Sequence, residues 1–198
     1  MGAFDHAAAR TPEAFLKEWA QGKRRNMEEN RITDDHLEKI LDWFRRKKLF
    51  LTTVESCTGG LLAGKITDIP GSSDVFHQGF VTYCDEAKHQ LVHVKAETLE
   101  KYTAVSTQTA EEMARGGAEA ARADACLSVT GYAGPPSFPG DTSVGLVYVG
   151  CFFQGDTRVR EFHFSGNRRE VREAAVEAAL RLLEEFLPED ISLSSHLF

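Results

Sequence analysis

The feature that most constrains this chain is an apolar, β-prone run, Leu49 to Val54, that passes directly into Glu55-Ser56-Cys57-Thr58-Gly59-Gly60 and then into a helix from Leu61. Strand and helix joined this directly fit an α/β domain with a mixed, mostly parallel sheet. The turn carries two hydroxyls and a thiol, then two glycines that allow close approach to the backbone. Backbone N–H groups at the start of a helix lack internal partners, so Ser56 has two readings: an N-cap, or a nucleophile beside a site for a developing oxyanion.

The remaining elements extend this pattern. Thr33-Asp34-Asp35 starts a helix with Leu37, Ile40, Leu41 and Phe44 at helical spacing, ended by Lys47-Lys48. Asp68 to Ser73 is a loop, Val75 to Tyr83 a second strand, Asp85 to Leu91 and Thr98 to Tyr102 short helices. Ser106 caps an Ala-rich helix over 107–122; Ala125 to Val129 is a buried strand; Thr130-Gly131 follows it. Gly145 to Phe153 and Arg158 to Phe164 flank the turn Gln154-Gly155-Asp156, and Asn167 caps a last helix from Arg168 to Phe186. Strands alternating with helices, closed by a hairpin, predict an α/β fold: a three-layer α/β/α sandwich with a mixed, mostly parallel sheet. Three segments are expected: an N-terminal helical extension over 1–31, a main domain over 32–190 and a tail over 191–198.

Ligands in such sheets bind beyond the carboxyl ends of the strands. The two Thr/Gly loops, Glu55 to Gly60 and Thr130 to Pro136, both fall there. Ser56 needs a base to act as a nucleophile, and Lys88 is a candidate, provided burial lowers its pKa. Asp85, three residues before it, acts in the opposite sense. Cys57 is the alternative nucleophile if the helix start depresses its thiol pKa. Arg168 opens the last helix, where a cation opposes the helix dipole, so a phosphate partner is the natural expectation.

Composition removes other classes. A net charge of −7 leaves no excess of cations for nucleic-acid phosphates. No apolar run has the length of a membrane span. Asp5, Glu13 and Glu18 break any secretory signal core, so a cytoplasmic protein is expected. The four cysteines form no C-x-x-C pair. His89 and His93 have helical metal-binding spacing, but nothing completes a ligand set, so no metal is expected.

Glu55-Ser56-Cys57-Thr58-Gly59-Gly60, Asp68 to Ser73, Gly79 to Tyr83 with Glu86-Ala87-Lys88, Ala104-Val105-Ser106, Val129-Thr130-Gly131 with Ala133-Gly134-Pro135, and Gly166-Asn167-Arg168 resemble, in this order, the CinA C-terminal domain family of nicotinamide-nucleotide amidases. The resemblance covers roughly residues 36–187. It implies hydrolysis of the carboxamide of nicotinamide mononucleotide to nicotinate mononucleotide and ammonia by a Ser-Lys acyl-transfer mechanism, without metal or cofactor, in a cytoplasmic homo-oligomer. Carried over by motif, Ser56 attacks, Lys88 takes the proton and Tyr83 assists. Glu55, Thr58, Gly59, Gly60, Ser106, Thr130, Gly131 and Arg168 hold the substrate, a small nucleotide, with backbone N–H groups near Thr58 to Gly60 facing the oxyanion. Larger family members carry an additional N-terminal nucleotide-processing domain, for which residues 1–35 are too short. Gln78, Cys84-Asp85 and Pro136-Ser137-Phe138-Pro139 depart from the family pattern. The last of these alters a phosphate-binding loop, and it carries the alternative reading: a non-catalytic nucleotide-binding or scaffold homologue.

Overall fold

The computed structural model describes residues 31–191. The N-terminal helix expected before residue 31 and the tail after residue 191 lie outside the described residues. In chain order the elements are α1 (Asp34–Lys47), β1 (Leu51–Glu55), α2 (Leu61–Thr67), a 3-10 turn (Ser72–Asp74), β2 (Phe80–Val81), α3 (Asp85–Val92), α4 (Ala96–Tyr102), α5 (Thr107–Ala121), β3 (Ala125–Gly131), β4 (Leu146–Phe153), β5 (Asp156–His163) and α6 (Arg168–Glu184).

The five strands form one sheet in the order β2-β1-β3-β4-β5. β1 pairs in parallel with both β2 and β3, whereas β4 is antiparallel to β3 and to β5. Four strands therefore share one direction and β4 runs against them, giving the mixed α/β sheet that the alternating pattern predicts. The hairpin turns through Gln154 and Gly155, both at positive φ, joining Phe153 to its partner Asp156.

Side chains alternate between the two faces, and each face has its own helices. Leu51, Ala125, Leu127, Val129, Val147 and Val149 face the larger core, together with Leu37 and Phe44 of α1, Leu62 of α2 and Leu183 of α6. Val54 and Cys126 face the opposite side, with Val92 of α3 and Met113 and Ala118 of α5. The result is a three-layer sandwich. α1 shows why the local sequence suffices for a helix. Thr33 accepts the His36 N–H, Asp34 and Asp35 lie in the first turn, Arg45, Arg46 and Lys47 in the last, and Leu37, Ile40, Leu41 and Phe44 form the buried stripe.

Two glycines determine how close α5 comes to the rest. A Cβ at Gly116 would lie 1.7 Å from the Val92 carbonyl oxygen, and one at Gly117 would lie 2.2 Å from Val54 Cγ2. No side chain fits at either position, so α5 rides directly on β1 and on the end of α3. The helix that carries Lys88 is thereby set against the strand that leads to Ser56.

The expected strand over Val75 to Tyr83 forms only in part. Only Phe80 and Val81 pair with β1. Ahead of them, the Val75 carbonyl accepts the Leu51 N–H, and the Thr52 hydroxyl donates to the Gln78 carbonyl at 2.8 Å. One backbone bond and one side-chain bond take the place of a ladder over that stretch.

Candidate active site

The site is assembled where β1, β2 and β3 end together. Register places Glu55 beside Val81 and beside Val129, so the residues following all three strands emerge at one edge of the sheet. Ser56 is the first residue beyond β1, and its N–H donates to the Val129 carbonyl at 2.9 Å. Glu55 does not face outward. It is fully buried, and its carboxylate accepts the N–H groups of Gly60 at 3.0 Å, Leu62 at 3.0 Å and Ala63 at 2.8 Å. The start of α2 has no side-chain cap from its own N-cap residue, Gly60. Glu55 supplies that function from the end of the strand. The turn between them requires positive φ at Gly59 (57°) and Gly60 (96°), a backbone region that glycine enters freely.

Lys88 comes from α3, 32 residues away, and its Nζ lies 3.3 Å from Ser56 Oγ. The same Nζ donates to the Thr82 carbonyl at 3.0 Å. Lys88 is 1% exposed and Ser56 is 9% exposed. Burial lowers the lysine pKa from its usual value, outweighing the opposing pull of the exposed Asp85. With one N–H fixed on the Thr82 carbonyl, a neutral amine can direct its lone pair at the serine hydroxyl. That is the arrangement of a nucleophile and its base.

The alternative nucleophile does not share this setting. Burial pushes the Cys57 thiol up to about 11, overriding the depression expected from a helix start. A thiol in that state is protonated at neutral pH. The N–H of Gly60, expected to face a reacting oxygen, is taken by Glu55, and that of Gly59 donates to the Ser56 carbonyl at 3.1 Å.

Tyr83 is 61% exposed, and its hydroxyl accepts from Arg168 at 2.9 Å. It meets Arg168 rather than the Ser56–Lys88 pair. Arg168 also donates to the Gly134 carbonyl, so one guanidinium joins the segment after β2 to the loop after β3. The Thr130 hydroxyl donates to the Ala104 carbonyl at 2.7 Å, and the Ser106 hydroxyl caps α5 by accepting the Thr109 N–H at 3.2 Å. The Thr130 hydroxyl thus ties the end of β3 to the segment that leads into α5. Gly131 lies against β4, where a Cβ would come 2.6 Å from the Leu146 carbonyl oxygen.

Arg172 is absent from the residues picked out in the sequence. One turn after Arg168 on α6, it donates to the Cys57 carbonyl at 3.0 Å and to the Thr58 carbonyl at 2.7 Å. Its i+4 spacing from Arg168 was the only available signal, and a single arginine within a charged helix does not stand out. His89, considered above as a metal ligand, has Nδ1 2.8 Å from the Val94 carbonyl oxygen. Among the described residues, no helix is long and apolar enough to cross a membrane.

Comparison with known proteins places this geometry in a family. The chain is 48% identical over 138 residues to a competence-damage inducible protein of Clostridium botulinum (strain ATCC 19397 / Type A), covering 70% of this chain and 34% of the relative. It is 49% identical over 133 residues to a protein of the same description from Clostridium novyi (strain NT), covering 67% of this chain and 32% of that relative. The chain thus spans about a third of the length of the curated relatives it matches. Among solved structures, the competence-damaged protein (CinA) superfamily protein ECK1530/EC0983 of Escherichia coli superposes with a TM-score of 0.72 at 36% identity, covering 78% of this chain and 91% of that one. The competence/damage inducible protein CihA of Agrobacterium tumefaciens gives a TM-score of 0.72 at 40% identity, covering 76% and 92%. Residues 33–187, which hold every strand of the described residues, the Ser56–Lys88 contact, Arg168 and Arg172, match the CinA C-terminal domain, and the chain belongs to that family.

Proposed function

We propose that this domain is an amidase that hydrolyses the carboxamide of nicotinamide mononucleotide to nicotinate mononucleotide and ammonia. The observation that carries this reading is the buried 3.3 Å contact between Ser56 Oγ and a Lys88 amine held on the Thr82 carbonyl. Membership of the CinA C-terminal domain family supports it, and the substrate follows from the resemblance to nicotinamide-nucleotide amidases.

In this mechanism Ser56 Oγ bonds to the amide carbon while its proton passes to Lys88 Nζ. The tetrahedral intermediate collapses as Lys88 returns that proton to the leaving nitrogen, which departs as ammonia. Water then attacks the ester, Lys88 takes its proton and passes it to the departing Ser56 oxygen, and the carboxylate product leaves. The cationic pyridinium ring of the substrate activates the amide and favours a neutral lysine nearby. Arg168 and the Thr130–Gly131 segment hold the nucleotide, Tyr83 orients Arg168, and Thr58 with Gly59 and Gly60 shapes the turn around the reacting carbon. The chemistry as written uses no cofactor or metal. The setting is a cytoplasmic homo-oligomer.

Ammonia release from nicotinamide mononucleotide by the purified protein tests the proposal. Ser56→Ala is expected to lower kcat by at least about 10⁴-fold, and Lys88→Met by about 10³-fold. Lys88→Met also removes a buried amine and is expected to hold or raise the melting temperature. Absence of ammonia release from the unaltered protein sinks the amidase reading. The second reading, a nucleotide-binding protein without turnover, draws on Arg168, whose guanidinium already bonds to Tyr83 and to the proline-rich 134–141 loop. Saturable binding of nicotinamide mononucleotide without ammonia would establish it.

A further inference from the structure

Two consecutive carbonyls of the turn after Ser56, those of Cys57 and Thr58, point at a single guanidinium, Arg172. In a trans peptide the N–H projects opposite to the C=O. Fixing these two carbonyls on α6 therefore turns the Thr58 and Gly59 N–H groups away from α6. The Gly59 N–H shows where that direction leads, because it donates to the Ser56 carbonyl at 3.1 Å. The Thr58 N–H donates to no group among the described residues. Thr58 Oγ1 is fully buried and likewise has no partner among them. A buried hydroxyl left without a partner is destabilising, which points to a ligand as its partner. Two polar groups of one residue, two positions after Ser56, are thus available.

We infer that Arg172 is a positioning residue for acyl transfer: by gripping the Cys57 and Thr58 carbonyls it aims the Thr58 amide at the oxyanion formed when Ser56 attacks. The inference rests on the Ser56–Lys88 acyl-transfer reading and adds to it a residue that never touches substrate. Arg172 acts on the transition state, so its loss lowers kcat and leaves KM in place. Arg168 acts on the bound nucleotide, so its loss raises KM. Arginines one helical turn apart thus divide rate from affinity.

The test compares Arg172→Met, Arg172→Lys and the unaltered full chain. Ammonia release from nicotinamide mononucleotide is followed alongside the rate at which a fluorophosphonate phosphonylates Ser56. In that reaction Ser56 Oγ displaces fluoride from phosphorus and its proton passes to Lys88, so the probe reads the turn independently of the nucleotide. Arg172→Met is expected to lower kcat about 10²-fold with KM within about threefold, and to slow phosphonylation in parallel. Arg172→Lys, which keeps a cation and one grip, is expected to recover part of both and guards against a misfolded methionine variant. Unchanged phosphonylation in both folded variants overturns the inference, as does a rise in KM at constant kcat. Phosphonylation that depends on Arg172 without any ammonia release removes the nicotinamide substrate and keeps the positioning role. Failure of the unaltered chain in both assays overturns both.

Discussion

The two walls of the site are built differently. The inner wall comprises Glu55, Ser56, Thr58, Thr82 and Lys88, all buried, and each is tied to another segment or lies beneath one. Glu55 alone accepts three backbone N–H groups. The outer wall comprises Tyr83, Cys84, Asp85 and the 134–141 loop, which is largely exposed, with Phe138 at 62%. That loop closes mainly on itself. Asp141 accepts the Ser137 and Ser143 N–H groups, each at 2.9 Å, and these bonds with the Ser143 hydroxyl hold its carboxyl below the usual range. Arg168 reaches the loop at the Gly134 carbonyl. The contrast separates two tasks. Positioning a nucleophile against its base demands fixed, desolvated groups, whereas admitting one substrate and refusing another requires only a surface that can vary without unsettling the core.

The comparison breaks most severely at Glu55. Glu55→Ala leaves three N–H groups at the start of α2 without their acceptor. It is expected to cost about 3–5 kcal/mol and to lower the melting temperature by about 10 °C, with activity lost as the turn relaxes. Glu55→Gln, which keeps one acceptor oxygen, falls between. A melting temperature that stays in place in calorimetry would mean that the inner wall is not held by its carboxylate.

A smaller effect is expected on the outer wall. Phe138→Ala should change KM for nicotinamide mononucleotide by about threefold and leave stability within about 0.5 kcal/mol. A matching fall in kcat in steady-state kinetics would show that the two walls are not separate.

The smallest effect tests how far the outer wall reaches inward. Lys88 must be neutral to accept a proton, so activity should rise with pH through a lysine pKa that burial holds below 10.5. Asp85 pulls that value up, and Asp85→Asn should move the rising limb of the pH–rate profile to lower pH. A limb that moves upward or not at all would exclude Asp85 from influence over the base. The stability linkage has a definite sign. Between the folded and unfolded pKa values the unfolded chain binds more protons at Lys88, so stability rises with pH across that window, and the full cost of a buried ammonium is present below it.

Much of the frame was legible because its signals are local. Thr33, Ser106 and Asn167 each cap the helix expected of them, and the Gln154-Gly155 hairpin follows from positive φ at both residues. The pairing of Ser56 with Lys88 was implied by the family resemblance, Lys88 being from the residues only a candidate base. Periodicity carries no information about a contact across 32 residues. Three features were hidden because they depend on tertiary placement. Glu55, expected to hold substrate, turns inward to cap α2 across five to eight residues. Tyr83, expected beside the Ser56–Lys88 pair, leans on Arg168. The stretch before Phe80 has strand-like composition, yet Thr52 and Leu51 engage its carbonyls without forming a ladder.

β2 is the shortest strand among the described residues and lies at the sheet edge, paired with β1 at Val54–Phe80 and Glu55–Val81, with the Thr82 N–H donating to the Glu55 carbonyl just beyond. It also leads into Thr82, whose carbonyl anchors Lys88. Edge segments with so few ladder bonds open at lower free energy than the core they border. Here such an opening would move the Thr82 anchor of Lys88 away from Ser56. The placement of the base thus depends on the edge of the sheet rather than on its centre.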